Sequence, residues 1–354
     1  MIVIRAPLRI SFFGGGTDIY GFWKQDVGKV ISTSIRKYIY VFIFARDDNH
    51  IYLDYLDKEF VSGIDEIRHE IIRECLRLTG LLGGVNIVVR SDVTSNGSGL
   101  GSSSTLTVAL LHALFMHLGQ QPSPEMLAIL ACHIEIDLLH KPIGKQDQYI
   151  AAYGGFRVHE FLPSGKVTSA IPDISCEEIV RLEKHLILFS TQIPRKAESI
   201  LSRQSDNIES TRPILSIMRD HVDEAIACLQ RGDMDHFGLL IQEGWELKKK
   251  LSSGISNARI DSYIERSIAA GAYGVKIAGA GGGGHMLVVC KPELQGKVIT
   301  ELAELAKVKV GFDSMGSTAI TLEDYNKQNG HHSIDSILCS AEEAECIVST
   351  QQNR

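Results

Sequence analysis

The feature that most constrains this 354-residue chain is a run of glycine and serine that leads directly into an apolar helical pattern. The run is Asn96-Gly97-Ser98-Gly99-Leu100-Gly101-Ser102-Ser103-Ser104. Apolar residues then recur at helical spacing from Thr105 to Leu118. Small residues let successive backbone N–H groups converge, and a helix N-terminus adds roughly half a positive charge. We therefore predict an anion-binding loop, because a flexible linker does not usually run straight into an apolar helix.

The loop is suited to a nucleoside triphosphate. The hydroxyl groups of Ser102, Ser103 and Ser104 can reach phosphate or its Mg²⁺ ion. No lysine follows the last glycine, so the run is not the Walker A pattern of P-loop proteins.

The chain contains two further glycine-rich segments. An apolar strand pattern, Leu8 to Phe13, runs into Gly14-Gly15-Gly16-Thr17-Asp18. From the residues alone, this is either a turn in which Asp18 caps the next helix or a close approach of backbone to a small polar ligand. The segment 279–284 contains G-x-G-x-x-G, but a strand pattern follows it where a dinucleotide-binding turn needs a helix. We interpret it as a backbone lid or a tight buried approach.

Asp147 lies at the start of a short helical pattern in the sequence Lys145-Gln146-Asp147-Gln148. An acidic residue in a first helical turn is favoured by the helix dipole, so this position alone does not assign a catalytic role. His112 and His117 are five residues apart on one helix, and neither an H-E-x-x-H nor a G-x-S-x-G motif is present.

Composition excludes several classes of protein. The 36 Lys and Arg against 43 Asp and Glu give a net charge of −7 without a basic tract, which argues against nucleic-acid binding. Seven scattered cysteines without a C-x-x-C pair indicate reduced thiols. The N-terminus has no signal-peptide pattern, and the longest apolar stretch is too short to span a membrane. We expect a cytoplasmic protein without a membrane partner.

The periodicity predicts an α+β protein in two domains, 1–172 and 173–330, and a tail, 331–354, without an assigned role. The predicted strands are Ile2 to Arg5, Leu8 to Phe13, Lys29 to Ser34, Tyr38 to Ala45, Val85 to Val89, Gly274 to Ala278, Met286 to Cys290, and segments near Val308 and Thr318 that complete the second unit. The predicted helices are Ile64 to Leu78, Thr105 to Leu118, Pro124 to Leu139, Ala197 to Arg203, Thr211 to Gln230, Asp233 to Leu251, Glu293 to Ala306 and a short one around Ala341.

Taken in order, three segments resemble the motifs of the GHMP kinases, named for galactokinase, homoserine kinase, mevalonate kinase and phosphomevalonate kinase. The matching segments are Ala6-Pro7-Leu8-Arg9 with Gly14 and Thr17-Asp18, Gly99 to Ser104, and Lys276 to Gly284. The resemblance implies an N-terminal domain like ribosomal protein S5 and a ferredoxin-like C-terminal domain, with ATP and the substrate bound in the cleft between them.

The resemblance also implies site residues. Residues 96–104 would bind ATP, and Asp147 would be the catalytic base. Glu135 and Ser103 would bind Mg²⁺, and Arg9 would lie near the transferring phosphate. The substrate would contact the remaining motif residues, which are Gly14, Gly15, Gly16, Thr17, Asp18, Gly281 and Gly282.

The acceptor is less constrained. Galactokinases carry Glu-His where this chain has Gly15-Gly16, which removes two sugar-binding side chains, is expected to widen the site, and argues against galactose. The run from Pro7 to Asp18 looks most like the bacterial D-glycero-D-manno-heptose 7-phosphate kinases, which phosphorylate the anomeric hydroxyl on the way to nucleotide-activated heptose for surface glycans. Arg195 and Lys196, together with Lys145 next to the segment of Asp147, are candidates for the 7-phosphate, although surface charges at a helix start fit as well.

Three alternatives stay open. The acceptor is another sugar such as fucose, or the chain belongs to the decarboxylase branch of the family, against which the Arg9 and Asp18 motif weighs. From another class, a non-catalytic regulator would bind sugar or nucleotide only; the presence of Glu135 and Asp147 favours the enzyme. A homodimer is compatible with the resemblance.

Overall fold

The computed structural model describes residues 1–93, 97–193 and 197–329. The strands in these residues are β1 (Ile2–Phe13), β2 (Gly28–Ala45), β3 (Ile51–Asp54), β4 (Lys58–Val61), β5 (Val85–Ser91), β6 (Phe156–Phe161), β7 (Val167–Ala170), β8 (Leu186–Ser190), β9 (Gly274–Ile277), β10 (His285–Val289), β11 (Ala306–Val308) and β12 (Thr318–Ala319). The helices are α1 (Tyr20–Trp23), α2 (Glu70–Thr79), α3 (Ser102–His117), α4 (Pro124–Cys132), α5 (Gln146–Tyr153), α6 (Cys176–His185), α7 (Ala197–Asp206), α8 (Ile208–Gln230), α9 (Met234–Lys249), α10 (Ala258–Ala269), α11 (Gln295–Glu301) and α12 (Leu322–Asn329).

The first sheet is organised around β2, which is long enough to serve three neighbours. It pairs with β1 along one edge, and with β6 and β5 along successive parts of the other. β3 continues the sheet parallel to β5, and β4 and β7 lie at its margins. The two pairs of strands predicted for residues 2–13 and 29–45 are therefore single long strands, rich in the β-branched and aromatic residues that suit a buried sheet.

The strand predicted near Thr318 exists, but it belongs to the first sheet. β12 pairs with β1 through Ile4 with Ala319 and Arg5 with Thr318. The following helix, α12, places the Tyr325 ring against Tyr40 and Phe42. The prediction that this segment completes the second unit is wrong, because strand pairing across the chain leaves no signal in a two-residue strand.

Helices α2 to α5 pack on the other face of the first sheet. α2 ends at Thr79, and Gly80 caps it with a left-handed φ of 73°. Its start is later than predicted, because Ile64–Glu66 forms a separate 3₁₀ turn. The predicted helix from Pro124 to Leu139 also divides: α4 ends at Cys132 and a π-helical turn, His133–Leu138, follows.

The second sheet has the strand order β11-β8-β10-β9 with antiparallel neighbours, which is the ferredoxin-like order predicted. The helix predicted from Glu293 to Ala306 ends at Glu301, and Ala306 begins β11. Phe237 of α9 packs against Phe12 and Phe13 at the end of β1, with ring centroids 5.7 and 5.2 Å apart. The two sheets thus share one apolar core next to the end of β1.

Two findings concern the described part of the chain as a whole. None of its helices combines the length and apolar character that crossing a membrane requires. The cysteines in these residues are free thiols, in agreement with the scattered spacing.

Candidate active site

A cleft that is open to solvent lies where the end of β1 meets the starts of α3 and α5 and the helices α8 and α9. Most of the residues predicted for the site line this cleft: Arg9, Gly14, Gly15, Gly16, Asp18, Gly97, Ser98, Gly99, Gly101, Ser102, Ser103, Ser104 and Asp147. Leu100 and Thr17 are buried behind it. Asn96, Arg195 and Lys196 lie outside the described residues.

The predicted phosphate loop ends in the N-terminus of α3. Gly101 precedes the helix with a left-handed φ of 82° and provides no side-chain cap. The first helical hydrogen bond runs from the Thr105 N–H to the Gly101 carbonyl at 3.0 Å, so the N–H groups of the three preceding serines have no partner within the helix. Ser98 Oγ and Ser102 Oγ are 2.8 Å apart and close the loop. This end of α3 can bind an anion through backbone N–H groups and the helix dipole.

The third glycine-rich segment supports that loop from behind. An added Cβ at Gly284 would lie 2.5 Å from the Gly97 carbonyl oxygen, so glycine is required for the close approach. The His285 N–H donates to the Ser98 carbonyl at 3.1 Å. The structure thus has the tight approach rather than a lid. Gly281 and Gly282 do not line the cleft, since the Gly282 N–H turns away to the Ile255 carbonyl; their role in binding substrate stays a prediction.

Arg9 and Asp147 form a bidentate ion pair across the cleft. Arg9 donates from Nε to Oδ1 and from Nη2 to Oδ2 of Asp147, both at 2.7 Å, and from Nη1 to the Gly99 carbonyl at 2.5 Å. The Arg9 side chain is 5% exposed, whereas that of Asp147 is 22% exposed. One guanidinium therefore joins β1, the phosphate loop and α5, and it fixes the Asp147 carboxylate at the cleft surface.

Asp18 is buried beside this pair. Its carboxylate accepts hydrogen bonds from the Gly16 N–H at 2.9 Å and the Gln146 N–H at 3.2 Å. It therefore contacts the start of α5 and does not cap α1, the helix that follows it. Burial, and then the nearby Asp147 charge, raise the pKa of Asp18. An added Cβ at Gly144 would lie 2.0 Å from Asp18 Oδ2, so the loop before α5 closes tightly over this carboxylate.

The two glycines that replace Glu-His differ in their surroundings. At Gly15, an added Cβ would meet nothing closer than Gln146 Nε2 at 3.8 Å, so this position is open, as predicted. At Gly16, it would lie 2.4 Å from Gln204 Nε2. The expectation that both positions widen the site is therefore wrong for Gly16, because the side chain of Gln204 from α7 fills that space.

Glu135 is completely buried in the π-helical turn. Its carboxylate accepts from Ser103 Oγ at 2.6 Å and from Gln148 Nε2 at 2.7 Å. Burial raises the pKa of Glu135. The described residues contain no group of three or more His, Cys, Asp or Glu side chains that could hold a metal ion. A carboxylate with a hydroxyl nevertheless fits Mg²⁺, which proteins usually hold with one or two carboxylates and which takes its other ligands from water and substrate phosphates.

Several polar residues in the cleft were not predicted from the sequence. Lys276 of β9 donates to the carbonyls of Ser11 and Phe12 at 3.1 and 2.6 Å, and burial together with Arg9 lowers the pKa of Lys276 to about 7. Gln146 lines the cleft and its Oε1 is buried without a hydrogen-bond partner in the described residues. Its position next to Asp147 was the available signal. Residues on α8 and α9 also line the cleft, and their helical spacing gave no such signal.

Two family models match the chain, "GHMP kinases N terminal domain" over residues 67–155 and "GHMP kinases C terminal" over residues 225–307. The D-glycero-alpha-D-manno-heptose 7-phosphate kinase of Campylobacter jejuni is 30% identical over 316 residues, which are 84% of this chain and 92% of that protein. This chain belongs to the GHMP kinase family.

Other relatives agree with the assignment of this GHMP kinase. The L-fucokinase/L-fucose-1-P guanylyltransferase of Bacteroides fragilis is 27% identical over 328 residues, 81% of this chain and 34% of that protein. The crystal structure of a D-glycero-D-manno-heptose 1-phosphate kinase from Bacteroides thetaiotaomicron superimposes with a TM-score of 0.71 at 24% identity, covering 91% and 99% of the two chains. The kinase thus has the two-domain fold of its family, and the sugar kinases to which it is similar are phosphotransferases with an alcohol acceptor.

Proposed function

We propose that this GHMP kinase transfers the γ-phosphoryl group of ATP to the anomeric hydroxyl of D-glycero-D-manno-heptose 7-phosphate, giving heptose 1,7-bisphosphate. The observation that carries the proposal is the hydrogen-bonded group of Arg9, Asp147 and the Gly99 carbonyl, which joins a cleft-facing carboxylate to the phosphate loop. The similarity to the heptose 7-phosphate kinase of Campylobacter jejuni supports the choice of acceptor.

Asp147 acts as the base in this proposal. Its exposed edge accepts the hydrogen bond of the acceptor hydroxyl and takes its proton as the oxygen attacks phosphorus. Arg9 holds the carboxylate in one orientation and places its positive charge beside the loop, where negative charge develops on the transferring group. The N–H groups at the start of α3 bind the ATP phosphates.

The sugar lies against Asp18 and Gln146. The buried Asp18 carboxylate faces the cleft, and Gln146 offers an acceptor that no described residue engages. Gly15, which lacks a side chain, leaves room for the sugar next to Gln146. Ser103 and Glu135 would hold Mg²⁺, which neutralises charge on the ATP phosphates when it is bound.

Coupled ADP release against a panel of acceptors tests the proposal. The panel contains heptose 7-phosphate, mannose, mannose 6-phosphate, L-fucose, galactose and mevalonate, and phosphorus NMR locates the new ester. We expect turnover with heptose 7-phosphate alone and an anomeric phosphate signal. Turnover with L-fucose alone would replace the proposed acceptor. A shift in melting temperature without ADP release would indicate a binding protein instead.

The Asp137→Asn variant serves as a control for the Asp147→Asn variant in the same assay. Asp137 is an exposed carboxylate in the π-helical turn, paired with His133 at 2.9 Å and absent from the cleft lining. Loss of turnover in both variants would point to a general loss of structure rather than to a missing base.

A further inference from the structure

The wall of the cleft formed by α8, α9 and β9 contains polar groups that the proposed chemistry does not use. His221 of α8, Gly244 and Lys248 of α9, and Lys276 of β9 all line the cleft. Gly238 packs against Tyr273 next to β9, and further along α9 the Lys248 ammonium reaches the Gly279 carbonyl, so helix and strand run side by side along this wall.

His221 presents an unsatisfied ring nitrogen in this wall. The residue is 4% exposed, and its Nδ1 is buried with no hydrogen-bond partner among the described residues. Its ring packs edge-on against Phe13, and its Nε2 is 3.8 Å from Glu243 Oε1. Buried polar atoms in folded proteins nearly always have a partner, so an orphaned atom at a cleft surface indicates a missing ligand.

Gly244 lies next to His221 and has no steric reason to be glycine. It is in the interior of α9, where glycine is less favourable than alanine. An added Cβ would meet nothing closer than His221 Nδ1 at 3.8 Å, an ordinary contact distance. Packing within the protein therefore leaves room at this point of the cleft, and that room is adjacent to the unsatisfied nitrogen.

The wall also carries positive charge. Lys248 is 8% exposed and, like Lys276, it brings an ammonium group to the cleft. Lys276 donates to two neutral carbonyl oxygens rather than to a carboxylate. Among the described residues, the carboxylates lining the cleft belong to Asp18, Asp147 and Glu198, on other elements. A ligand group that meets this wall is therefore expected to be an anion with hydrogen-bond acceptors and donors.

We propose that His221, Gly244 and Lys248 form the subsite for the end of the acceptor remote from the reacting hydroxyl, and that this end carries a phosphate group. The inference rests on the proposed function and extends it. His221 and Lys248 hydrogen-bond the phosphate, and Gly244 supplies the space that it occupies. The subsite is an alternative to Arg195 and Lys196, which the sequence suggested for the same group.

The test compares Lys248→Met and Gly244→Ala with wild type by the KM values for heptose 7-phosphate, for unphosphorylated heptose and for ATP. The matched controls are Lys249→Met, on the same helix outside the cleft lining, and Gly296→Ala, a helical glycine with open space in α11. We expect Lys248→Met to raise the KM for heptose 7-phosphate by about 10- to 100-fold, the loss typical of a charge-assisted hydrogen bond. Gly244→Ala should raise the same KM because its methyl group occupies the space of the phosphate. The KM for ATP and the melting temperature should stay close to wild type.

Each other result has a definite meaning. An equal rise in KM for phosphorylated and unphosphorylated heptose would mean that the subsite does not bind the phosphate group. A raised KM for ATP would assign Lys248 to nucleotide binding. A loss in Arg195→Ala but not in Lys248→Met would place the phosphate at the other candidate. Unchanged KM values, with heptose 7-phosphate still turned over, would refute the subsite alone. Turnover of L-fucose but not of heptose 7-phosphate would refute the proposed acceptor and the subsite together.

Discussion

The buried carboxylate of Glu135, which is proposed to bind Mg²⁺, is expected to lower the stability of the metal-free protein. Its pKa is raised mainly by burial, and hydrogen bonds from side chains that include Ser103 and Gln148 oppose the rise. Keeping this group ionised at neutral pH costs free energy of folding when no cation compensates it. We expect the Glu135→Gln variant to be more stable than wild type without metal, and to lose Mg²⁺-dependent turnover.

The structure indicates the size of the effect. A glutamine at position 135 can still accept the hydrogen bond from Ser103 Oγ, which is 2.6 Å long in the wild type. Its new NH₂ group would replace the oxygen that accepts from Gln148 Nε2 at 2.7 Å, so two NH₂ groups would face each other. Gln148 Oε1 is buried and has no hydrogen-bond partner in the part of the chain that the structure describes, so rotation of that amide provides the acceptor. Because the hydrogen bonds are preserved, the variant gains the desolvation cost of the removed charge, which raises the free energy of unfolding by about 1–3 kcal/mol. Each kcal/mol raises Tm by about 2–4 °C in a domain of 150–250 residues.

The sign of the pH dependence follows from the raised pKa of Glu135. Below the unfolded value of 4.5 the carboxyl group is protonated in both states and has no effect. As pH rises above that value, the unfolded chain ionises first, so the wild type loses stability until the folded pKa is passed. The stability difference between the glutamine variant and wild type should grow across this range.

Urea unfolding followed by the fluorescence of buried Trp245 measures the difference, with EDTA present and at several pH values. Glu125→Gln, at an exposed position in the first turn of α4, is the control. A Glu135→Gln protein that is less stable than wild type at pH 7 without metal would refute the reasoning. So would a difference that shrinks as pH rises.

Three further variants test the remaining parts of the site. Asp147→Asn should lower kcat by about 100- to 10,000-fold while calorimetry shows ATP binding retained, and near-normal turnover would contradict its role as base. Gly101→Val should abolish ATP binding, because φ is 82° and the new Cβ would lie 3.3 Å from Arg9 Cγ; retained affinity would mean that the phosphates bind elsewhere. The pKa of Lys276 is about 7, so wild-type affinity for heptose 7-phosphate should fall relative to that of Lys276→Arg as pH rises through 7, and parallel profiles would exclude this titration.

Local patterns predicted the parts of the site that a short segment builds by itself. The glycine and serine run does lead into α3, and Asp147 lies in the first turn of α5. The ferredoxin-like sheet followed from the family resemblance, and its strand order is as implied. In each case the information is contained within a few consecutive residues, or in motifs whose order along the chain is diagnostic.

Contacts between distant segments could not be predicted in this way. Arg9 and Asp147 are 138 residues apart, and their pairing was not predicted, because the resemblance only placed each of them near the reacting groups. The π-helical turn that carries Glu135 has the same apolar spacing as an ordinary helix. His221 and Lys248 resemble residues of any amphipathic helix until α8 and α9 pack against the end of β1.

The pairing of β12 with β1 affects how the first sheet can fold while the chain is being synthesised. Until residue 319 has left the ribosome, one edge of β1 has no partner, and Tyr40 and Phe42 lack the ring of Tyr325. The nascent first sheet therefore emerges with an open edge and an uncovered aromatic surface, and both features promote association between chains. The first sheet is thus completed by a strand that follows every strand of the second sheet in the sequence.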